Sequence, residues 1–273
     1  MKLETQILNE LHAFRYTGQA PKYALVISHG LGGHGGIYDV FCENLAAKGA
    51  DIWSYDAPGH GRSTTNRPRG QWRMGEWVQA SRDWAAYASR TAGLPVFLLG
   101  SSLGAAAAIS ARNEPAVSGV ICMGSIAVPG SPVLKEVSAP WRSPEVKAII
   151  SQLGRGGTLN ISSFFDFDKD YGYVGAADQK KLDPYNTWSY DLASWASLHQ
   201  YDQPEPLEDN TKPVLFAVGE KDPNFPQEAV PAVAAGIGGP VRIEVFEGAS
   251  HQLMLFETEK FAALVHEFCL GNI

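Results

Sequence analysis

Residues 95–109 run Pro-Val-Phe-Leu-Leu-Gly-Ser-Ser-Leu-Gly-Ala-Ala-Ala-Ala-Ile, and no other stretch constrains the chain as much. Val96, Phe97, Leu98 and Leu99 are apolar without a break, as in a strand buried on both faces. Ala105 to Ala108 have strong helix propensity and little bulk, so a helix there can lie close on a sheet. Only Gly100-Ser101-Ser102-Leu103-Gly104 separates the two, which makes the reversal sharp. Its apex residue takes a strained backbone, and the positions two before and two after must be nearly free of side chain. Ser102 has Gly100 and Gly104 there, whereas Ser101 would have Leu99 and Leu103, which crowd the turn. The frame nominates Ser102.

The chain has 28 glycines, so Gly-x-Ser-x-Gly can arise by chance and the neighbouring segments must decide. Further strands are predicted at 24–28, 50–55, 117–123, 214–218 and 241–246, and helices at 37–48, 75–92, near 226–236 and near 256–269. This alternation implies a mostly parallel sheet covered by helices on both faces. The rhythm breaks after Gly124: residues 126–208 are rich in aromatics, Pro and Gly and show no clear strand. That stretch reads as a lid inserted into a core built from 1–125 and 209–273.

At 273 residues with 45% hydrophobic content, the chain suits a single α/β domain carrying an insertion. A net charge of −7 with no long Lys/Arg cluster argues against a nucleic-acid partner. The basic stretch Arg62 to Arg73 reads as a solvated loop. The first residues lack the apolar core of a signal peptide and no run of about 18 apolar residues occurs, so a soluble, cytoplasmic protein is expected. Cys42, Cys122 and Cys269 lack metal-type spacing and read as reduced thiols.

A serine hydroxyl is a weak nucleophile unless a base takes its proton, and that base needs a carboxylate to orient it. Both should lie in loops leaving the carboxyl ends of later strands. Asp222 follows strand 214–218 and His251 follows strand 241–246, so the order is Ser102, Asp222, His251. Asp222 precedes Pro223 and could simply start a turn; Glu220 is the other acid, nearer the strand end and with less reach. Among the other histidines, His12 and His199 lie far from any sheet motif and His266 reads as a surface side chain on the closing helix. His29, His34 and His60 sit in glycine loops, where structural hydrogen bonding is the expected role. An oxyanion hole needs two backbone N–H groups; Leu103 should supply one and the glycine loop 30–36 the other, with Leu31 the best single choice. The same loop contains Gly30-Leu-Gly32-Gly-His-Gly35, a dinucleotide-binding pattern with Asp51 and Asp56 near the acidic position. That reading leaves Ser102, Asp222 and His251 unexplained.

Taken together, His29-Gly30-Leu31-Gly32, Asp56 to Ser63, Gly100 to Gly104, Gly219 to Asp222 and Gly248 to His251 resemble the α/β-hydrolase superfamily, in particular its monoacylglycerol lipase and lysophospholipase-like branch. The resemblance spans roughly residues 22–270 and is weakest in the inserted stretch. It implies an α/β-hydrolase fold, Ser102 as nucleophile, His251 as general base and then acid, Asp222 as the orienting carboxylate, and Leu31 and Leu103 as oxyanion donors. Many members of that branch carry His and Met beside the serine where this chain has Ser101 and Leu103, which loosens the subfamily assignment without touching the triad.

Asp166-Phe-Asp168-Lys-Asp170 has the alternating carboxylates of a calcium loop, but Tyr171 replaces the required glycine and Ala177 the bidentate Glu, so no metal site is expected. The expected function is cofactor-independent hydrolysis of a lipid-like or small apolar ester through an acyl-enzyme, with some inserted aromatics lining an apolar pocket above Ser102. The same triad serves amide, lactone or C–C bond cleavage and acyl transfer. Two readings from other classes are a nicotinamide-binding oxidoreductase and a receptor that binds a small ligand without turnover.

Overall fold

The apolar runs form the sheet. In the computed structural model, which describes residues 1–125, 127–153 and 156–273, the first two strands are β1 (Lys2–Leu8) and β2 (Leu11–Thr17). After them come β3 (Tyr23–Ser28), α1 (Asp39–Ala47), β4 (Ala50–Tyr55), α2 (Met74–Ala92), β5 (Val96–Ser101), α3 (Leu103–Ser110) and β6 (Val117–Met123). Eight strands make one sheet in the order β1-β2-β4-β3-β5-β6-β9-β10, where β9 is Val214–Gly219 and β10 is Val241–Phe246. From β4 to β10 every neighbour pair is parallel.

Every residue of β3, β4, β5 and β9 is buried, as continuous apolar runs require when both faces are covered. Side chains alternate between two cores. Val26, Val96 and Leu98 meet α2 and α3 on one face, while Leu25, Ile27, Phe97 and Leu99 meet α1 and the closing helix on the other. Each such aliphatic or aromatic side chain contributes roughly 1.5–3 kcal/mol by burial. The chain adds β4 to one side of β3 and then β5 to the other, so the direction of winding reverses between β3 and β5. In open α/β sheets such a reversal opens a crevice at the carboxyl ends of the strands.

Between β6 and β9 the chain leaves the sheet. It forms α4 (Pro132–Ser138), α5 (Pro144–Leu153), β7 (Thr158–Asn160), α6 (Phe167–Tyr171), α7 (Ala176–Leu182), β8 (Ser189–Asp191) and α8 (Leu192–His199). Residue 126, where the sequence reading starts the insertion, lies outside the described residues. The chain closes with α9 (Val230–Ala234) between β9 and β10, then α10 (Leu253–Phe256) and α11 (Thr258–Leu270). Among the described residues, no helix is long and apolar enough to cross a membrane.

Four expectations need correction. The hairpin β1–β2, antiparallel and turning through Asn9 and Glu10 at φ 50° and 65°, lies ahead of the first strand read from the sequence. His12 is therefore part of the sheet, with Nδ1 3.8 Å from Asp56 Oδ2. The loop 62–73 is not simply solvated: Trp72 is buried, its amide donates to Ser194 Oγ at 3.0 Å, and Arg69 donates to the Pro184 carbonyl at 2.7 Å. His266 is half-buried and bonded to the Tyr23 hydroxyl at 3.1 Å. The inserted segment also holds two strands, β7 and β8, each of three residues and paired antiparallel.

Candidate active site

Ser102 occupies the turn between β5 and α3 at φ 50°, ψ −118°, a backbone that a non-glycine residue adopts only where its surroundings impose it. Its flanking glycines are sterically required. A Cβ on Gly100 would stand 2.3 Å from Ala105 Cα, and one on Gly104 would stand 2.2 Å from the Ser28 carbonyl oxygen. The Ser102 amide donates to Met123 O at 2.8 Å, tying the turn to β6. Ser101 is fully buried, whereas Ser102 keeps 9% of its surface and lines a cavity at the carboxyl ends of β3 and β5.

The loops after β9 and β10 bring the acid and base together. Asp222 Oδ1 accepts from the amides of Asn224 (2.9 Å) and Phe225 (3.0 Å), a side-chain turn that fixes the carboxylate. Its Oδ2 lies 2.7 Å from His251 Nδ1. A carboxylate only accepts, so Nδ1 carries the proton and Nε2 is the nitrogen left to act as a base. His251 lines the same cavity as Ser102. Burial disfavours its charged form, yet the hydrogen bond to Asp222 and the charges of Asp170 and Asp222 outweigh burial and raise its pKa above the ordinary histidine value. Glu220 is exposed and spends its carboxylate on the Gly248 amide at 2.8 Å. The Asp-Pro step thus does more than start a turn.

Leu103 is the first residue of α3, so its amide points out of the helix N-terminus beside Ser102. Leu31 lies in a turn closed by the Gly33 amide on Gly30 O at 3.2 Å and also lines the cavity. The Gly30 carbonyl shares a trans peptide plane with the Leu31 N–H, and His29 Nδ1 donates to that carbonyl at 2.8 Å. His29 Nε2 accepts from the Ala57 amide at 3.0 Å, and burial lowers its pKa to about 4, so the ring is neutral with Nδ1 protonated.

Four other amides of the glycine loop are taken, that of Gly33 by the Gly30 carbonyl as above. Gly32 N–H donates to the Tyr190 hydroxyl at 2.8 Å, Gly35 N–H to Asp56 Oδ1 at 2.7 Å and Gly36 N–H to His34 Nδ1 at 3.1 Å. Asp51 is engaged by Arg15 at 2.7 Å and Asp56 also by the Arg62 amide at 2.7 Å. With the Gly32, Gly33, Gly35 and Gly36 amides and both carboxylates engaged, the residues of the dinucleotide pattern are committed to bonds within the protein.

Two neighbours of the site, Gly124 and Asp170, carry no sequence signal that ties them to it. Gly124, at φ +54°, leaves room for the imidazole: a Cβ there would stand 2.9 Å from His251 Nδ1. Asp170 comes from the inserted segment, with Oδ1 3.9 Å from His251 Nε2. It accepts from Asn224 Nδ2 at 2.5 Å and Gln252 Nε2 at 3.2 Å, and burial pushes its pKa above the usual carboxylate range. The alternating carboxylates that suggested a calcium loop serve three separate ends. Asp166 caps α6, Asp168 accepts from the amides of Gly175 and Ala177 at 3.0 Å each, and only Asp170 reaches the cavity. Among the described residues no group of three or more His, Cys, Asp or Glu could hold a metal ion.

Phe165 and Phe167, also from the inserted segment, complete the walls. The space between these walls is about 20 Å³, room for roughly one water.

A family model described as serine aminopeptidase, S33, matches residues 19–259. The chain is 38% identical over 98 residues to a monoglyceride lipase homolog of monkeypox virus, covering 34% of each chain. It is 36% identical over 112 residues to a phospholipase of Bacillus subtilis, covering 38% of this chain and 42% of the relative. The matched stretches thus span well under half of these relatives' length. Among solved structures, a monoacylglycerol lipase from Paleococcus ferrophilus superposes with a TM-score of 0.72 at 21% identity over 100% of both chains. A carboxyl esterase from Bacillus coagulans superposes with a TM-score of 0.79 at 17% identity, over 99% of this chain and 98% of the other. At these identities the superpositions speak for the fold alone.

Proposed function

Since the chain belongs to the serine aminopeptidase S33 family of α/β hydrolases, we propose that it is a serine hydrolase that cleaves carboxylic esters with an apolar acyl or alcohol part. The observation that carries the reading is the 2.7 Å bond between Asp222 Oδ2 and His251 Nδ1, with His251 and the strained Ser102 on one cavity.

In the proposed reaction, Ser102 Oγ attacks the ester carbonyl while His251 Nε2 takes its proton. Asp222 holds the imidazole in the required tautomer and stabilises the imidazolium that forms. Negative charge on the former carbonyl oxygen falls to the amides of Leu31 and Leu103. His251 then protonates the leaving alcohol, and water, activated by the same nitrogen, resolves the acyl-enzyme. The cavity is too small for an ester, so we assign the inserted segment the role of a lid whose Phe165 and Phe167 must draw back to admit substrate. The lipase and phospholipase relatives favour ester over peptide substrates, and the apolar walls agree.

Two measurements test the reading. A fluorophosphonate probe should phosphonylate Ser102 in the wild-type chain. Ser102→Ala should stay folded, lose labelling and reduce turnover of short-chain p-nitrophenyl esters by at least about 10³-fold, in line with loss of a nucleophile. Undiminished turnover in Ser102→Ala would overturn the assignment, and preferential cleavage of charged peptides would overturn the substrate class.

A further inference from the structure

The loop that carries Leu31 is held from outside the sheet. Gly32 takes φ +73° at the third position of the Gly30–Gly33 turn, where the central peptide can flip between two orientations. Both polar groups of Gly32 are bound by the inserted segment. Its N–H donates to the Tyr190 hydroxyl at 2.8 Å, and its carbonyl accepts from Lys180 Nζ at 3.1 Å and the Thr187 amide at 3.2 Å. Tyr190 is itself fixed. Its hydroxyl lies 3.0 Å from His60 Nε2, and His60 Nδ1 lies 3.0 Å from the Pro58 carbonyl.

The proton positions follow from the chemistry of the partners. A carbonyl only accepts, so His60 Nδ1 carries the hydrogen. Burial drives the pKa of His60 well below its ordinary value, so the ring is neutral and Nε2 is an acceptor. The Tyr190 O–H must then donate to His60, which leaves its oxygen lone pairs turned to the Gly32 N–H. The result is a one-way line of bonds from Gly32 through Tyr190 and His60 to Pro58, with every member buried or nearly so. His29 fixes the Gly30–Leu31 peptide plane and Tyr190 fixes the next one, so the Leu31 N–H has little freedom on either side.

We propose that Tyr190, oriented by His60, is a positioning residue for the oxyanion donor Leu31, so that the inserted segment completes the anion-binding loop as well as covering it. The proposal rests on the serine hydrolase reading above. It separates the segment into two parts: the stretch around Tyr190 stays on the loop during turnover, while α6 moves.

The test uses the full-length protein, p-nitrophenyl butyrate and a phenylboronic acid, whose tetrahedral adduct on serine carries the negative charge that the oxyanion hole binds. Tyr190→Phe keeps the ring and removes the hydroxyl. We expect kcat to fall roughly tenfold to hundredfold, less than the 10²–10³ typical of deleting a donor outright, with KM changed less than about twofold and boronate affinity weakened in parallel with kcat. His60→Leu should reproduce this, whereas His60→Gln, which retains an acceptor for Tyr190, should stay within about threefold of wild type. Tyr23→Phe, which loses only the bond to His266, controls for loss of a buried hydroxyl and should leave kcat unchanged. The proposal is overturned if Tyr190→Phe retains wild-type kcat and boronate affinity, or if only KM rises, while wild-type Ser102 still labels. If the wild-type chain neither turns over nor labels, the hydrolase reading falls and takes the proposal with it.

Discussion

The two sides of the cavity are built on different terms. On the sheet side, Ser102, Asp222 and His251 stand just past strands β5, β9 and β10, and β5 and β9 are buried along their whole length. Ser102 is held by a strained backbone and by flanking glycines with no room for a Cβ, and Asp222 and His251 by their mutual bond and the Asn224 and Phe225 amides. On the inserted side, Phe165, Phe167 and Asp170 come from a five-residue helix and the residues before it, in a segment that leaves Val174 93% and Leu182 83% exposed. Phe167 packs into the core beside Tyr171 and Trp188, and side-chain bonds supply the rest of the hold: Asp170 to Asn224 and Gln252, and Ser250 Oγ to the carbonyls of Lys169 and Asp170 at 3.0 and 2.9 Å. Steric fixation cannot loosen without unfolding, whereas a few polar bonds can exchange with water. The proposed lid role therefore pairs a sterically fixed serine turn with a covering face assigned to open at α6.

Three substitutions probe that contrast, in decreasing order of expected effect. Asp222→Asn should lower kcat/KM by about 10⁴-fold, since the amide can present its N–H to Nδ1 and favour the wrong tautomer. Steady-state kinetics on a p-nitrophenyl ester check this, and a loss under tenfold would send the search for the acid elsewhere, with Glu220 first. Gly104→Ala places a Cβ 2.2 Å from Ser28 O and 2.4 Å from His29 O, so urea unfolding should show a loss of about 3 kcal/mol or more. An unchanged midpoint would mean that the reacting face is less rigid than described here.

Asp170→Asn gives the smallest change and the sharpest test of the covering face. His251 must be neutral to act as a base, so activity falls as pH drops through its raised pKa. Removing the Asp170 charge lowers that pKa, and the acidic limb of the kcat/KM profile should move to lower pH by less than about one unit, since Asp222 remains. A limb that stays in place would mean that Asp170 has swung away from His251 in the free, substrate-accepting enzyme.

What could be read from the chain varies along the same division. The β5 turn, the serine within it and the strand-end positions of Asp222 and His251 were legible because each depends on a few consecutive residues. The β1–β2 hairpin is not legible although Leu3, Thr5 and Ile7 alternate with Glu4 and Gln6, because this edge is half-exposed and lacks a continuous apolar run. With it goes the place of His12. In the sequence Asp170 is one of three spaced carboxylates, and nothing local marks which of them turns toward His251, 81 positions later in the chain.

By itself the sequence determined the alternating strands and helices, the serine at a sharp turn, and the acid and base in strand-end loops, because sterics and apolar periodicity act over short distances. Tertiary structure alone decided that Asp170 meets His251 and that Tyr190 meets Gly32 across 158 positions. A hydrogen bond forms only within about 3 Å, so partners far apart in the chain become specific only once the sheet and the inserted segment have folded against each other.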